Sequence, residues 1–242
     1  MAIAFDNSTE GNTVSGSSVT WSHTCTGSNL ILIVGAAVKV GHTVTGVTYN
    51  GTSMTQINTQ SLSGASFDNL YLFRLVAPTT GSHSIVVTAE AAPGFLYCVG
   101  SSYTGVDQTN PIDVSGTDAD AAGTTVTGTL TTTKTNCWIV GHAIKATHIT
   151  PPTWSVGPNT TMREEAPPNG WWYFIDSGSA FATAGSHTIS ATCSATNNIG
   201  LNFAAIVPVQ TATGWGGKIQ GITPGKVDDV AIADISKIQG VS

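Results

Sequence analysis

Charged residues are scarce in this chain of 242 residues, because Asp, Glu, Lys and Arg together make up only 9% of it. Typical soluble domains carry roughly a quarter. The net charge is −6, and the eight Lys and Arg residues form no cluster. A nucleic-acid-binding protein needs clustered cations to neutralise phosphates, so the composition argues against a nucleic acid partner.

Long apolar segments are also lacking. The longest apolar run, from Leu30 to Val40, is interrupted by Gly35 and Lys39 and is shorter than the roughly 18 residues of a membrane helix. The N-terminal segment has neither the basic start nor the apolar centre of a signal peptide. We therefore expect no membrane partner and synthesis in the cytoplasm without export.

Only four cysteines occur, and none has the C-x-x-C spacing of a metal or redox motif. Each lies among apolar or β-branched residues of a predicted strand, so we expect buried free thiols rather than a disulfide framework. The four are Cys25, Cys98, Cys137 and Cys193.

Thr, Ser, Gly and Asn take the place of the missing charges. Thr suits the half-exposed surface of a sheet, and Gly and Asn suit turns. Short runs of alternating apolar and polar residues separated by turn signals predict many strands. Ile31 to Val34 is apolar on both faces, so we expect that strand to be covered on both sides.

An internal repeat relates a first half, about residues 4–105, to a second half, about residues 112–208. The matched segments lie 101 to 107 residues apart. They are Gly16–Val19 with Gly123–Val126, Asn29 with Asn136, Ile33–Lys39 with Ile139–Lys145, Asp68–Phe73 with Asn169–Phe174, and Gly81–Ile85 with Gly185–Ile189.

The repeat predicts an all-β fold, a duplicated antiparallel jelly-roll-like β-sandwich over residues 1–210. We expect the halves to interleave in one two-sheet sandwich; the alternative is two tandem immunoglobulin-like sandwiches. Residues 211–242 are predicted to be a linker and an extended tail, in which Lys218-Ile-Gln-Gly-Ile222 recurs as Lys237-Ile-Gln-Gly-Val241.

The tail is too short to bury its aliphatic side chains alone. We expect it to dock on a neighbouring chain; folding back on its own sandwich is the alternative. The predicted partner-binding residues are Ile219, Ile222, Val227, Val230, Ile232, Ile235 and Ile238.

Three segments resemble a widespread β-sandwich family found in bacteriophage structural genes and in some bacterial surface proteins. They are Val44–Met54, Leu75–His83 and Tyr103–Ile112. The tail resembles the Ile-Asn-Gly-Val-type repeats that end many phage virion proteins, with Gln in place of Asn. The resemblance implies a fold more than an activity.

Chemical motifs are few. His42/His148 and His83/His187 recur in both halves, which favours a structural role, and His83 and His187 are expected to satisfy turn carbonyls. Asp118 and Asp120 are expected to lie in a solvated turn rather than a calcium loop. Glu164 and Glu165, which follow Arg163, are expected to form a surface charge cluster.

Catalytic signatures are absent from the sequence, since it has no Gly-x-Ser-x-Gly, no His-Glu-x-x-His and no Cys/His motif. We expect no enzyme activity, no cofactor and no metal. The aromatic run Trp171–Tyr173 could bind a sugar. Within it, Trp172 is matched with Tyr71 as the pair expected to be partly exposed and to contact a glycan.

These observations favour a bacteriophage virion structural protein, a capsid decoration or a tail or fibre component. Its expected partners are other virion proteins and further copies of itself, with a trimer as the expected oligomer. The alternative is a carbohydrate-binding or adhesin module that contacts a glycan of the host surface.

Overall fold

The computed structural model describes residues 1–39, 41–62, 69–146, 152–165 and 172–210. These ranges contain strands and no helix, and thus no helix that could cross a membrane. The all-β prediction is confirmed. The strands are β1 (Ala4–Thr13), β2 (Ser18–Cys25), β3 (Ile31–Val38), β4 (Val44–Tyr49), β5 (Thr52–Ser53), β6 (Thr55–Ser61), β7 (Asn69–Val76), β8 (Gly81–Ala89), β9 (Leu96–Thr104), β10 (Ile112–Thr132), β11 (Trp138–Lys145), β12 (Trp154–Val156), β13 (Thr161–Glu165), β14 (Trp172–Asp176) and β15 (Gly185–Ile206).

The first half forms a jelly roll from two antiparallel sheets. The inner sheet has the strand order β1-β9-β3-β7-β6, and the outer sheet has the order β2-β8-β4-β5. The chain passes repeatedly from one sheet to the other, which is jelly-roll connectivity. Asn50 and Gly51, both with positive φ, form the two-residue turn between β4 and β5, as an Asn-Gly hairpin requires.

The second half repeats this connectivity with longer strands. Residues 115–120 of β10 pair with residues 199–204 of β15 in the inner sheet, next to β11, β14 and β13. Residues 125–132 of β10 pair with residues 185–192 of β15, and β12 extends this outer part. The ladder is irregular between Asp120 and Thr125, where both strands pass from the inner to the outer sheet.

The halves stand as two sandwiches joined face to face. The described strands of one half form no ladder with those of the other. The duplicated antiparallel jelly-roll-like sandwich is therefore confirmed, whereas the interleaving of both halves in one pair of sheets is wrong. Residues Met1–Gln210 form one compact unit.

Three hydrophobic cores separate the four sheet layers. One core lies inside the first sandwich and one inside the second. A third core lies between the two inner sheets and takes side chains from both halves, including Ile33, Leu72, Val140 and Phe174. Each inner sheet is thus covered on both faces.

This layering explains the apolar strands at the centre of each inner sheet. All eight residues of β3 are buried, and so are all eight residues of β11. The expectation that Ile31 to Val34 is covered on both sides is confirmed. Alternate β3 residues point into different cores, because successive side chains of a strand face opposite ways.

The contact between the halves is reciprocal. β3 contacts β11, β7 contacts β15 while β14 contacts β9, and β6 contacts β10 while β13 contacts β1. In each pair, the second contact joins the strands that are equivalent, in the opposite halves, to the two strands of the first contact. An isologous dimer interface has the same reciprocity. The chain therefore contains an internal pseudo-twofold axis between β3 and β11.

Gly35 and His142 meet beside this axis. A Cβ atom on Gly35 would lie 2.4 Å from Cγ of His142, so only glycine fits opposite the imidazole. The two residues occupy the same place in their halves, because Gly35 pairs with Leu72 and Val99 as His142 pairs with Phe174 and Asn202. A bulky residue at both positions would collide.

This equivalence corrects two of the sequence matches. Ile33 faces the core between the halves, whereas Ile139 faces the core inside the second sandwich, so the structural partner of Ile33 is Val140. Trp172 likewise corresponds to Leu70 and not to Tyr71. The matches are wrong by one residue, a slip that exchanges the two faces of a strand.

Gly35→Ala should destabilise the protein by about 1–3 kcal/mol, because the methyl group overpacks the interface against His142. Urea unfolding measures the loss. Gly46→Ala is the matched control, since a Cβ at Gly46 meets nothing within 4 Å; we expect a change within about 0.5 kcal/mol.

Adding Gly35→Ala to a His142→Gly background should cost less than about 0.5 kcal/mol, because the Cβ, Cγ and Nδ1 atoms of His142 that clash with the new methyl group have then been removed. An equal loss in both backgrounds would contradict this account of the interface.

Candidate functional site

The aromatic pair predicted to contact a glycan is buried. Trp172 is 2% exposed and stacks on Tyr97 with ring centroids 4.2 Å apart, and Tyr71 is 7% exposed and stacks on Phe73. The two belong to different cores. The prediction that they are partly exposed together is wrong, because an inner sheet has no free face.

The predicted tail residues, Ile219, Ile222, Val227, Val230, Ile232, Ile235 and Ile238, lie outside the described residues, as does His148. Their assignment as a partner-binding segment stays a prediction.

Histidines at the start of β8 and β15 serve the turns that precede them. His83 Nε2 lies 3.1 Å from the carbonyl oxygen of Thr80, and His187 Nε2 lies 2.8 Å from that of Thr183. The expected structural role is confirmed. The four cysteines are free and buried, as predicted.

Asp118 and Asp120 lie in strand β10 and not in the expected turn, so that prediction is wrong. Their carboxylates accept backbone hydrogen bonds. Asp118 accepts one from Thr127 N–H at 2.7 Å, and Asp120 accepts one from Ala122 N–H at 3.1 Å. Within the described ranges, no group of three or more His, Cys, Asp or Glu residues is placed to hold a metal ion. Caps of this kind also satisfy N–H groups that would otherwise be open at a sheet edge.

A second pair of aspartates, which the sequence analysis missed, closes equivalent corners of the two halves. Asp6 accepts hydrogen bonds from the backbone N–H and hydroxyl of Thr26, and Asp113 accepts the same two from Thr133. The hydrogen bonds from Thr133 lower the pKa of Asp113 against the opposing effect of burial. Each Asp lies 20 residues before its Thr, and this spacing could have revealed them.

A directed hydrogen-bond chain crosses the first sandwich. Trp21 Nε1–H donates to Thr9 Oγ1 at 3.0 Å, and Thr9 lies 2.7 Å from His23 Nδ1. His23 Nε2 lies 3.1 Å from Ser102 Oγ, which donates to Asp6 at 2.6 Å. An indole can only donate and a carboxylate can only accept. Because Ser102 donates its only proton to Asp6, it accepts a hydrogen bond from Nε2–H of His23. Burial, which lowers the pKa of His23 to about 4, keeps the ring neutral, so Nδ1 accepts from the Thr9 hydroxyl.

This chain is not a catalytic triad. In a triad the histidine takes the serine proton and a carboxylate orients its other nitrogen. Here the Ser102 hydroxyl already donates to Asp6, and the second nitrogen of His23 faces Thr9. Ser102 is fully buried and His23 is 1% exposed. Burial lowers the pKa of His23 to about 4, although Asp6 opposes this shift.

The second sandwich fills the same space with an apolar ring. The places of Trp21 and Thr9 are taken by Gly128 and Gly116. A Cβ atom on either glycine would lie about 3 Å from the ring of Phe203. The polar chain of the first half is thus replaced by aromatic packing.

A charged cluster ties the two halves together. Asp176, which is fully buried, accepts hydrogen bonds from Arg163 Nε at 2.6 Å and from Tyr103 of the first half at 2.9 Å. The Arg163 guanidinium also lies over the Phe5 ring, 4.4 Å from its centroid. Arg163 therefore does not form a surface cluster with Glu164 and Glu165, and that prediction is wrong. Burial and the neighbouring Asp176 raise the pKa of Tyr103.

His142 is the least satisfied polar residue of the interface. It is fully buried, and neither ring nitrogen has a hydrogen-bond partner among the described residues. Burial lowers the pKa of this histidine to about 3. The ring therefore packs as a neutral group in the core between the halves.

The outer sheets present hydroxyl groups and no charge. The strand residues of β2, β4, β5, β8 and β12 and residues 123–132 of β10 and 185–196 of β15 include no Asp, Glu, Lys or Arg. In the second half, the outward side chains form a surface that we call the hydroxyl face. It comprises Thr125, Thr127, Thr129, Thr131, Ser155, Ser186, Thr188, Ser190, Thr192 and Ser194.

Hydroxyl groups of this face bond to each other across strands. Thr125 and Thr192 lie 3.0 Å apart at their Oγ1 atoms, and Thr129 and Thr188 lie 2.9 Å apart. These hydroxyl groups therefore use part of their hydrogen-bonding capacity on each other and not on water. Their methyl groups remain available for contact.

Two depressions mark the described surface. One, of about 440 Å³, is lined by Asp107, Asn110, Ile112, Asp113, Lys134, Val207 and Gln210. The other, of about 130 Å³, lies beside the hydroxyl face and is lined by Thr153, Trp154, Ser155, Thr192, Cys193 and Ser194.

Residues 1–210, which we call the body, should be less stable in acid, because His23 and His142 are buried there. Both pKa values fall from about 6.5 in the unfolded chain to about 4 and about 3 in the folded protein. At pH values between the folded and the unfolded pKa of each histidine, the unfolded chain binds more protons than the folded protein does. Stability is therefore complete above the unfolded pKa and falls as the pH drops below it, by about 2 kcal/mol per histidine at about pH 5.

Urea unfolding at about pH 7.5 and pH 5 measures this effect. His142→Leu should reduce the difference in unfolding free energy between the two pH values by the share of one histidine. An unchanged difference would show that His142 is not a buried neutral group.

No protein-family model matches the sequence, and no curated protein or solved structure matches the chain.

Proposed function

We propose that this chain is a structural protein of a bacteriophage virion, a capsid decoration or a component of the tail or fibre, that acts by protein–protein assembly. One observation carries the proposal. The body is a stack of four sheet layers whose outer strand segments carry no charged residues. Such surfaces suit contacts with neighbouring proteins, because charged residues are depleted at the centres of interfaces.

The polar residues of the body support the same proposal. His23, Ser102, His142 and Asp176 are buried in the structure, and most of them hold other parts of the fold in place. They order the sandwiches and the contact between them. An acid–base or nucleophilic role would require these groups to reach a substrate.

The tail supplies the second part of the proposal. Residues 211–242 carry three Lys and three Asp and are neutral, whereas residues 1–210 carry five basic and eleven acidic residues. A neutral segment with repeated aliphatic residues is suited to bury those residues against a neighbouring chain, by strand addition or groove binding. The likeness of its Lys-Ile-Gln-Gly repeat to virion protein tails supports a location in the virion after synthesis in the host cytoplasm.

A chain that ends at Gln210 should keep its fold and lose assembly, because its cores lie within residues 1–210. Light scattering coupled to size-exclusion chromatography compares it with the full chain. We expect a defined oligomer, a trimer in our proposal, for the full chain and a monomer for the truncated one. Circular dichroism provides the control for folding.

Co-purification with phage particles tests the virion location directly. Incorporation of the full chain and exclusion of the truncated chain are expected. Normal incorporation of the truncated chain would refute the role of the tail, and absence of the full chain from particles would refute the location.

A carbohydrate-binding module is the second candidate, and one observation favours it. Trp154 is half-buried beside Tyr173 and lines the depression of about 130 Å³ with the hydroxyl-bearing Thr153, Ser155, Thr192 and Ser194. An indole ring bordered by hydroxyl groups combines apolar contact with hydrogen bonding, as ligand sites do.

Trp154→Ala should abolish binding to a glycan array of host-surface polysaccharides if this second candidate is right, and leave assembly intact. Trp172→Phe is the control, because that side chain is buried at the interface between the halves. If the unsubstituted chain is incorporated stably into particles and binds no glycan, the carbohydrate-binding candidate is refuted and the structural role stands.

A further inference from the structure

We infer that Asn50, at the tip of the turn between β4 and β5, is a site of spontaneous modification at which the side-chain amide is converted to an acid. Asn50 and Gly51 are both exposed. The reaction needs only water, a base and the backbone of this chain, so it does not depend on the contacts of the proposed function.

The chemistry uses the backbone nitrogen of the residue that follows the asparagine. Once a base has removed its proton, the Gly51 nitrogen attacks Cγ of Asn50, so that an N–Cγ bond forms and the Cγ–Nδ2 bond breaks. The side-chain nitrogen leaves as ammonia, and a cyclic succinimide remains. Water then opens this ring at either carbonyl. Asparagine and water are thus converted to an acid and ammonia, without oxidation or reduction.

Glycine at position 51 leaves the attacking nitrogen unhindered. A Cβ atom on Gly51 would meet nothing within 4 Å, so no neighbouring part of the described chain crowds this position. Thr52 and Ser53, which form the whole of β5, are exposed as well. Water and base can therefore reach the reacting atoms.

Three other asparagines provide an internal comparison. Asn29, Asn136 and Asn159 share the left-handed backbone of Asn50, with φ values of 52°, 58° and 53° against 48°. Each of the three is followed by a residue with a side chain, a leucine, a cysteine and a threonine in turn. Among the described residues, only Asn50 is followed by glycine. Its chemistry should therefore differ from that of asparagines with the same backbone.

The folded turn slows the reaction. Both central residues have positive φ, 48° at Asn50 and 76° at Gly51, as in a type I′ turn, where ψ of the first central residue is about 30°. At this ψ the Gly51 nitrogen lies on the far side of the Cα–C bond from Cβ and cannot reach Cγ. The turn must open before the ring can form.

Opening of this turn is a local event. β5 has two residues, which pair with Thr48 and Tyr49 at the edge of the outer sheet. Tyr49 belongs to the core of the first sandwich and can stay in place while residues 50–53 rotate. Segments with few buried contacts open at much lower free energy than the whole protein. We therefore expect conversion of Asn50 in the folded protein.

The two products affect the hairpin differently. Ring opening at Cγ leaves an aspartate, which fits the turn because Asp-Gly suits type I′ as Asn-Gly does. Ring opening at the main-chain carbonyl leaves an isoaspartate, which adds a carbon atom to the backbone and disturbs the pairing of Thr48 with Ser53. Either product places a carboxylate beside outer strands that carry no charge.

Incubation of the full chain in mildly alkaline buffer, followed by digestion and mass spectrometry of the peptides, measures conversion at each asparagine. We expect Asn50 to convert at least about tenfold faster than Asn159, a difference of about 1.4 kcal/mol in barrier. Peptide mapping separates Asn50 from Asn169, which precedes Gly170 outside the described residues. Conversion of Asn50 no faster than that of Asn159, which is exposed too, would overturn the inference.

Urea tests the local opening. The unfolded chain should convert Asn50 faster than the folded protein, because no turn then holds the Gly51 nitrogen away from Cγ. Below the unfolding transition the rate should change little with urea, since the opened segment exposes little surface. A rate that rises steeply with urea in this range would overturn local opening, and equal rates in the folded and unfolded chains would overturn protection by the turn.

Asn50→Gly is the matched control, because Gly-Gly also suits a two-residue turn and has no side-chain amide to convert. Ion-exchange chromatography should show an acidic form that grows during incubation of the unsubstituted chain and grows less in the variant. Thermal unfolding verifies that the variant is folded. Equal growth of the acidic form in both chains would contradict conversion at Asn50.

Discussion

The contact between the two inner sheets is the constraint on which the rest of the structure depends. It covers the second face of each inner sheet, so every residue of β3 and β11 is buried and most of them are apolar. Every polar group placed there is desolvated, and this explains why Asp176 holds both Arg163 and Tyr103. A buried charge without such partners would cost several kcal/mol. Gly35 is required for a related reason, because the pseudo-twofold axis brings it against His142.

The two halves share this architecture and differ in what fills them. Asp6 and Asp113 close the same corner, and His83 and His187 satisfy the same turn. Yet the first sandwich holds the chain of hydrogen bonds through His23, whereas the second packs the Phe203 ring against two glycines. The duplicated topology is therefore compatible with different interiors.

The distribution of charge is the feature of this architecture on which the proposed assembly role depends. Charged residues are few, and in the second half they lie on the inner sheet and in loops rather than on the outer strands. A sheet face made of Thr and Ser costs less to bury than a charged one. A protein that must remain soluble before assembly and then contact many neighbours would benefit from such a surface.

Local properties of the sequence determined the class of the fold. The alternation of Thr with apolar residues, the turn signals and the repeat predicted an all-β duplicated sandwich, and the apolar surroundings of the cysteines predicted buried thiols. The roles of His83 and His187 could be predicted because each bonds to a carbonyl within four residues. All of these depend on short-range interactions that a sequence records directly.

Tertiary structure alone decided which face of each strand is buried and against what. The sequence matched Trp172 with Tyr71, but strand pairing places Trp172 with Leu70, and a slip of one residue exchanges the faces. Arg163 lies next to two glutamates in the chain, yet its partner is Asp176, 13 residues away. Two sandwiches in place of one interleaved sandwich followed from the same cause, because pairing between distant strands depends on contacts that no local pattern encodes.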